Sequence, residues 1–197
     1  MNERRVFMNA LLAALAANAT SLHAQVEDLD KLFALFAAQG ERRKAFVERR
    51  HSVLFRSPPE SRGVLYFKPP SLLERDVSSP RREKVRIDGE NVTLWTEGED
   101  GKPIERKASL GSIPQLANLV LTIRATLAGD LGTLRKMYRV TLFTPLPRWR
   151  IQLSPIDDAG AGAVNSITMA GDRGEVERIE FTETSGDRTE LLLSAAK

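Results

Sequence analysis

The chain has 197 residues, of which 42% are apolar and 28% charged, a composition typical of a globular protein that can bury a sizeable core. Its formal net charge of +3 is too small to indicate a nucleic-acid-binding protein by itself. Because the chain has no cysteine, disulfides, thiolate metal sites and a cysteine nucleophile are excluded.

The first 24 residues follow the order of a secretory signal peptide. Arg4 and Arg5 precede a mostly apolar run over residues 6–17, which is too short to span a bilayer. Small residues then offer two cleavage points, after Ala19 or after Ala24. We therefore expect an exported, periplasmic protein whose residues 25–197 form a single domain. A buried, alanine-rich helix is the alternative interpretation of this segment.

The rest of the chain combines a few helices with many short strands. Apolar residues spaced three and four apart predict a helix over residues 28–39 and another over 114–127, with a short helical piece at 131–137. Residues 41–55 have mixed periodicity, and we expect a strand in the second half. Elsewhere, alternating stretches separated by turn pairs such as Asp88-Gly89 predict antiparallel strands.

This order of elements predicts an α+β fold built on a strongly curved antiparallel sheet, that is, an unclosed β-barrel. The concave face of such a sheet is apolar and has to be covered. Two helices with apolar stripes would form a lid over an apolar cavity on that face. A large apolar pocket with few converging polar groups favours binding of a hydrophobic ligand.

The sequence has little catalytic equipment. One of its two histidines, His23, lies in the predicted leader, and the other, His51, is expected at the surface. A serine triad needs a histidine base, and zinc sites need several histidine or cysteine ligands. We therefore expect no enzymatic activity, no metal and no cofactor. A hydrolase acting through His51 is kept as an alternative.

A basic group lies in the segment after the first helix. We interpret it either as a solvated face or as a contact for acidic lipid headgroups or an acidic docking surface. Nucleic acid is not expected as a partner, since exposed aromatic residues are not interleaved with these charges. The group comprises Arg42, Arg43, Lys44, Arg49, Arg50 and Arg56.

The segment GVLYFKPPS at residues 63–71 resembles a motif of the outer-membrane lipoprotein carrier (LolA-like) family. That family has an N-terminal helix, a strand with F-x-Q, the motif G-x-L-W-V-K-R-P-N, and an aspartate–glycine turn before an L-W strand. Here the same order is seen in the helix at 28–39, in Phe46-Val47-Glu48, in residues 63–71, and in Asp88-Gly89 before Leu94-Trp95.

The resemblance implies an unclosed barrel with a helical lid that carries acylated lipoproteins from an inner-membrane transporter to an outer-membrane acceptor. The sequence departs from the family pattern in places. Pro69 stands where the family has an inward arginine that ties the lid to the sheet, and Glu48 replaces the F-x-Q glutamine. Lys68 is retained, but alternation directs it to the other face.

We predict a ligand-binding surface from the alternation of the strands and the apolar stripes of the helices. Its cargo would be an acylated lipoprotein or another lipid, and we expect a monomer. The alternative is a non-enzymatic adaptor or structural domain of the cell envelope that docks on a partner protein. The predicted ligand-binding residues are Leu65, Phe67, Val92, Leu94, Trp149, Ile151, Leu153, Phe33, Phe36, Leu119 and Ile123.

Overall fold

A computed structural model describes residues 27–156 and 164–196 of the chain. The predicted leader lies outside the described residues. Residues 27–38 are helical and are called α1. Two more helices, α2 (Pro114–Leu127) and α3 (Leu131–Met137), follow a short 3-10 turn at Leu110–Ser112. The strands are β1 (Arg42–His51), β2 (Glu60–Lys68), β3 (Leu72–Ser79), β4 (Glu83–Asp88), β5 (Asn91–Glu97), β6 (Pro103–Ser109), β7 (Tyr138–Thr144), β8 (Arg148–Pro155), β9 (Val164–Asp172), β10 (Glu175–Glu183) and β11 (Arg188–Ala195).

The strands form one antiparallel sheet in the order β6-β5-β4-β3-β2-β1-β11-β10-β9-β8-β7. Its edges, β6 and β7, are not paired with each other, so the barrel is unclosed, as predicted. The chain passes from β6 at one edge to β7 at the other through α2 and α3, which therefore cross the sheet. This confirms the expected α+β fold class, a curved antiparallel sheet with helices lying over it.

The helices form largely where the sequence predicts them. In α1 the residues at i, i+3, i+4 and i+7 are buried, and the helix is followed by Gly40 at φ +61°. Proline occupies the first turn of α2, where its missing N–H costs no hydrogen bond. Asp130 caps α3 by accepting a hydrogen bond from the backbone N–H of Thr133 at 2.9 Å.

The prediction for residues 41–55 is wrong in its placement. The strand β1 occupies Arg42–His51, so it fills the first part of the segment instead of the second half. Residues 52–59 form the connection to β2 and contain the apolar run Val53, Leu54 and Phe55. Apolar β-prone residues are not enough to make a strand where no neighbouring strand continues to pair with them.

The core divides into two clusters on the concave side of the sheet. The larger joins α1 and α3 to strands β7, β8, β9 and β10, and includes the fully buried Leu32, Phe36, Ile151 and Leu153. The smaller lies between α2 and strands β4 and β5. The helices therefore cover the concave face in two separate patches.

Candidate functional site

The concave face can be followed from strand to strand, since residues directly opposite each other in an antiparallel pair project to the same side. Phe67 pairs with Leu73, Leu73 with Ile87, and Ile87 with Val92. We call these four residues the covered row, because they lie near the strand ends over which α2 packs. The alternation inferred from the sequence therefore places Phe67 and Val92 on one face.

A second row runs parallel to the first, two residues further along each strand. Leu65 pairs with Arg75, Arg75 with Val85, and Val85 with Leu94. We call it the half-covered row, because each of its members is only partly buried. The predicted ligand-binding residues Leu65 and Leu94 belong to this row, and an arginine lies between them.

The other end of the predicted site, beneath α1, is tightly packed. Trp149, Ile151 and Leu153 share the concave face of β8 and are 2%, 0% and 0% exposed. Phe36 packs edge-on against Trp149 with ring centroids 5.2 Å apart, and Phe33 packs against Phe36 at 5.3 Å. Side chains therefore fill the space that the sequence analysis assigned to a cavity in this region.

The predicted residues of α2 lie at the side of its buried face. Leu119 and Ile123 are half-buried, whereas Val120, Thr122 and Thr126 are 2%, 0% and 2% exposed. The hydroxyl of Thr122 lies 3.0 Å from that of Tyr138, at the start of β7. The apolar stripe read from the sequence missed both threonines, because their polarity conceals that they face the core.

Two arginines tie the helices to the sheet, and no sequence pattern predicts this role for either of them. Arg42 on β1 donates from Nη2 to the carbonyl oxygens of Phe36 in α1 and Leu127 in α2, the latter at 3.0 Å. Both acceptors lie in last helical turns, where carbonyls lack intrahelical partners and the helix dipole favours a cation. Burial lowers the pKa of Arg42, and Glu175 partly offsets this.

Arg124 makes the second attachment, from helix to sheet. Its Nη2 donates to the carbonyl oxygens of Ser71, in the β2–β3 turn, and Gly89, in the β4–β5 turn, the latter at 3.0 Å. Burial lowers the pKa of Arg124, and Glu90 and Asp88 raise it. Arg42 and Arg124 are called the latch arginines below, since both hold α2 at the β2–β3 end of the sheet.

An ion cluster marks the opposite, β1–β2 end of the concave face. Arg75 pairs with Glu48 at 2.9 Å and with Glu83 at 3.0 Å. Its guanidinium lies 5.2 Å from the centre of the Phe46 ring, within the range of a cation–π contact. A cleft of about 200 Å³ lies beside this cluster, lined by Ser61, Arg75, Val77, Pro80, Arg81, Arg82, Glu83 and Thr96.

The described residues hold no group of three or more histidine, aspartate or glutamate side chains that could bind a metal ion. His51, at the end of β1, has its Nε2 3.9 Å from the carboxylate of Glu190. Within residues 27–156 and 164–196, no helix is long and apolar enough to cross a membrane.

A curved antiparallel sheet with helices latched across its concave face defines the class of lidded half-barrels. The chain matches, over residues 16–197, the model of a family described as outer membrane lipoprotein carrier protein LolA-like. The protein therefore belongs to the LolA-like outer-membrane lipoprotein carrier family, which confirms the resemblance inferred from its motifs.

The relatives of this chain are distant in sequence. An outer-membrane lipoprotein carrier protein from Pseudomonas entomophila is 23% identical over 202 residues, covering 98% of this chain and 88% of the relative. A LolA superfamily protein from Nitrosomonas europaea is 14% identical at a TM-score of 0.40, covering 87% of this chain and 91% of its own. A DUF1329 family protein from Desulfovibrio piger is 10% identical at a TM-score of 0.44, covering 85% and 89%.

Proposed function

We propose that this protein carries the acyl chains of a lipoprotein or related lipid on its concave face and shuttles them from the inner to the outer membrane. The observation that carries the proposal is a concave apolar sheet face covered by helices that polar latches hold in place. Membership of the carrier family supports the same conclusion. Such a role requires neither a catalytic group nor a cofactor.

Acyl chains need a covered apolar surface to cross an aqueous compartment, since each methylene is worth about 0.8 kcal/mol when it is buried. The half-buried residues Leu65, Leu94, Leu119 and Ile123 offer a place for a chain to begin to bind. Further binding has to separate α1 from the sheet, because Phe36 and Trp149 are in contact. The predicted residues under α1 would then contact cargo in the opened state.

The latch arginines suit a lid that opens and closes. Their bonds to backbone carbonyls can be exchanged for bonds to water or to a polar group of the cargo when the lid opens. The Nε and Nη1 atoms of Arg42 are buried without a hydrogen-bond partner among the described residues. An ester or amide carbonyl of an acylated cargo is an acceptor that these donors could bind.

The compartment, the processing and the partners of the protein belong to the same proposal. We infer that the chain is exported to the periplasm, that its leader is cleaved after Ala19 or Ala24, and that residues 25–197 act as one monomeric domain. Its partners would be an acylated cargo, an inner-membrane lipid or lipoprotein transporter, and an outer-membrane acceptor.

The test is direct binding of an acyl ligand, compared between two neighbouring positions on β2. Leu65→Glu places a carboxylate in the half-covered row and should weaken binding of a fluorescent fatty acid at least about tenfold. Val64→Glu places the same carboxylate on the opposite face and should leave binding unchanged. Protein purified from its native periplasm should also contain acyl lipid by mass spectrometry. Protein that is lipid-free and binds no acyl probe would disprove the proposal.

The second candidate function is a non-enzymatic adaptor of the cell envelope. The observation that favours it is the close packing beneath α1, where Leu32, Phe36, Ile151 and Leu153 are fully buried. An adaptor would keep this core closed and would bind its partner through surface residues. Hydrogen exchange of α1 separates the two candidates, because only a carrier should lose amide protection there when an acyl probe is added.

A further inference from the structure

The connection between β1 and β2 presents three consecutive apolar side chains to solvent. Val53 is 99% exposed, Leu54 85% and Phe55 45%. The turn that carries them is well formed, since the N–H of Phe55 donates to the carbonyl of Ser52 at 3.1 Å. The N–H of Leu54 also donates to the Ser52 hydroxyl, at 3.3 Å. We call Val53, Leu54 and Phe55 the apolar tip.

Several arginines lie at the same end of the sheet as the apolar tip. Arg56 follows it in sequence, and Arg81 and Arg82 lie in the β3–β4 turn at the same end of the sheet, about 10 Å away by strand spacing. All three are exposed and have no ion-pair partner among the described residues. Arg62, at the start of β2, is 64% exposed and pairs with Glu60.

The acidic groups near the tip are already engaged by arginines. Glu60 contacts Arg49 and Arg62 at 3.0 and 2.6 Å. Glu183 and Asp187, near the β10–β11 turn, face Arg50 at 3.7 and 3.9 Å. The acidic β5–β6 turn lies at the edge of the sheet, about 19 Å from the tip along the strand order. The surface around the tip is therefore positively charged.

We infer that the apolar tip and its arginines form a docking site for a lipid bilayer that contains anionic phospholipids. The tip projects from the sheet as a convex turn, which suits insertion between headgroups, whereas a protein partner would need a matching pocket. Arginines at the same end would contact lipid phosphates while the tip enters the acyl region. The apolar side chains of the tip match the acyl region of the bilayer, and the exposed arginines beside them match its anionic headgroups.

Docking in this orientation would place the open cleft towards the membrane. The cleft lies at the β1–β2 end, and its lining includes Arg81 and Arg82 from the same cationic surface. The latch arginines act at the opposite end, on the β2–β3 and β4–β5 turns and the helix ends. Docking on such a bilayer would not depend on which lipid the protein carries.

Co-sedimentation of the purified protein with lipid vesicles tests the inference. The protein should bind vesicles of phosphatidylethanolamine and phosphatidylglycerol, and bind phosphatidylcholine vesicles much more weakly. Val53→Ser/Leu54→Ser should weaken binding to the anionic vesicles at least about tenfold. Arg81→Gln/Arg82→Gln should weaken it too and should reduce its dependence on salt.

Phe143→Ser is the matched control, since it removes an apolar side chain that is 59% exposed on β7, near the opposite end of the sheet. This variant should bind vesicles as the unaltered protein does. Equal binding to anionic and neutral vesicles would overturn the inference. It would also be overturned if Val53→Ser/Leu54→Ser bound normally, and an acidic protein surface would then be the better occupant. The fatty-acid assay is expected to give the same result for all these variants, so a failure here is distinct from a failure of the carrier proposal.

Discussion

Arg42 shows how one side chain can connect two helices to a strand. The family pattern has an inward arginine where this chain has Pro69. In the structure Arg42 lies on the neighbouring strand β1, directly across from Phe67, which precedes Pro69 by two residues. From there its guanidinium reaches the last turns of α1 and α2. The guanidinium that holds the lid therefore comes from β1, a position that the motif does not predict.

Replacing Arg42 tests its effect on the lid. Arg42→Leu keeps the apolar part of the side chain but removes the donors to Phe36 and Leu127. The free energy of unfolding should fall by about 1.5–3 kcal/mol, the range for hydrogen bonds to charged groups. The amides of α1 should also exchange faster with deuterium, because the helix end loses its attachment. Urea unfolding and hydrogen exchange measure the two effects.

Arg43→Leu is the control, because Arg43 is the next residue on β1, exposed and directed to the other face. A change there should stay within about 0.5 kcal/mol, as for ordinary surface sites. Equal losses of stability in the two variants would show that the Arg42 contacts do not hold the lid.

At the scale of elements, the arrangement of the lid depends on a close approach between α1 and the turn that joins α2 to α3. Gly129 in that turn has a φ of +74°. A Cβ atom at this position would lie 2.4 Å from the carbonyl oxygen of Phe33 and 2.8 Å from the Cβ of Ala37. Only glycine allows both this backbone conformation and this contact.

Gly129→Ala should therefore destabilise the protein by two separate effects. The positive φ costs about 1–2 kcal/mol for a residue with a side chain, and the clash with α1 adds to it. We expect a total loss of at least about 3 kcal/mol, measured by urea unfolding. Gly101→Ala isolates the first effect, since Gly101 has a φ of +75° and a Cβ there would have nothing within 4 Å. Equal losses in the two variants would exclude a tight contact at Gly129.

For the whole molecule, the close packing beneath α1 predicts that, under the proposed carrier function, an acyl chain reaches the residues beneath this helix only if the helix moves. The chain contains no cysteine, so one engineered disulfide can fix α1 without competing thiols. Leu35 in α1 suits this purpose, because its Cβ would lie 3.3 Å from a Cβ built on Gly174 in the β9–β10 turn. This separation is slightly shorter than the roughly 3.5–4.5 Å between the Cβ atoms of disulfide-bonded cysteines, so a small shift of the turn would allow the bond to form.

Leu35→Cys/Gly174→Cys should bind a fluorescent fatty acid at least about tenfold more weakly when oxidised, and reduction should restore binding. The reduced form of the same protein controls for the effect of the substitutions themselves. Leu35→Cys alone should show no dependence on redox state. If the oxidised and reduced proteins bound equally well, acyl chains would have to bind without movement of α1.

The sequence by itself determined the class of fold and the broad family. Helical spacing in α1 and the proline at the start of α2 locate two helices, and strict alternation around Phe67 and Val92 places these residues on one face. These signals are local, because a helix repeat or a strand repeat depends on neighbouring residues. The same signals misplaced β1, since the apolar run at 53–55 has strand composition but lies beyond the paired part of the strand.

The tertiary structure decided which polar residues matter. Arg42 belongs to a basic stretch in which every arginine looks alike, and its role depends on the register between β1 and β2 and on where α1 and α2 end. By its polarity Thr122 would be predicted to lie on the exposed face of α2, but in the structure it is buried and its hydroxyl contacts that of Tyr138. Likewise, the apolar tip is distinguished from a strand by its exposure and by the lack of a paired neighbouring strand. These properties depend on contacts between segments distant in sequence, which no local pattern encodes.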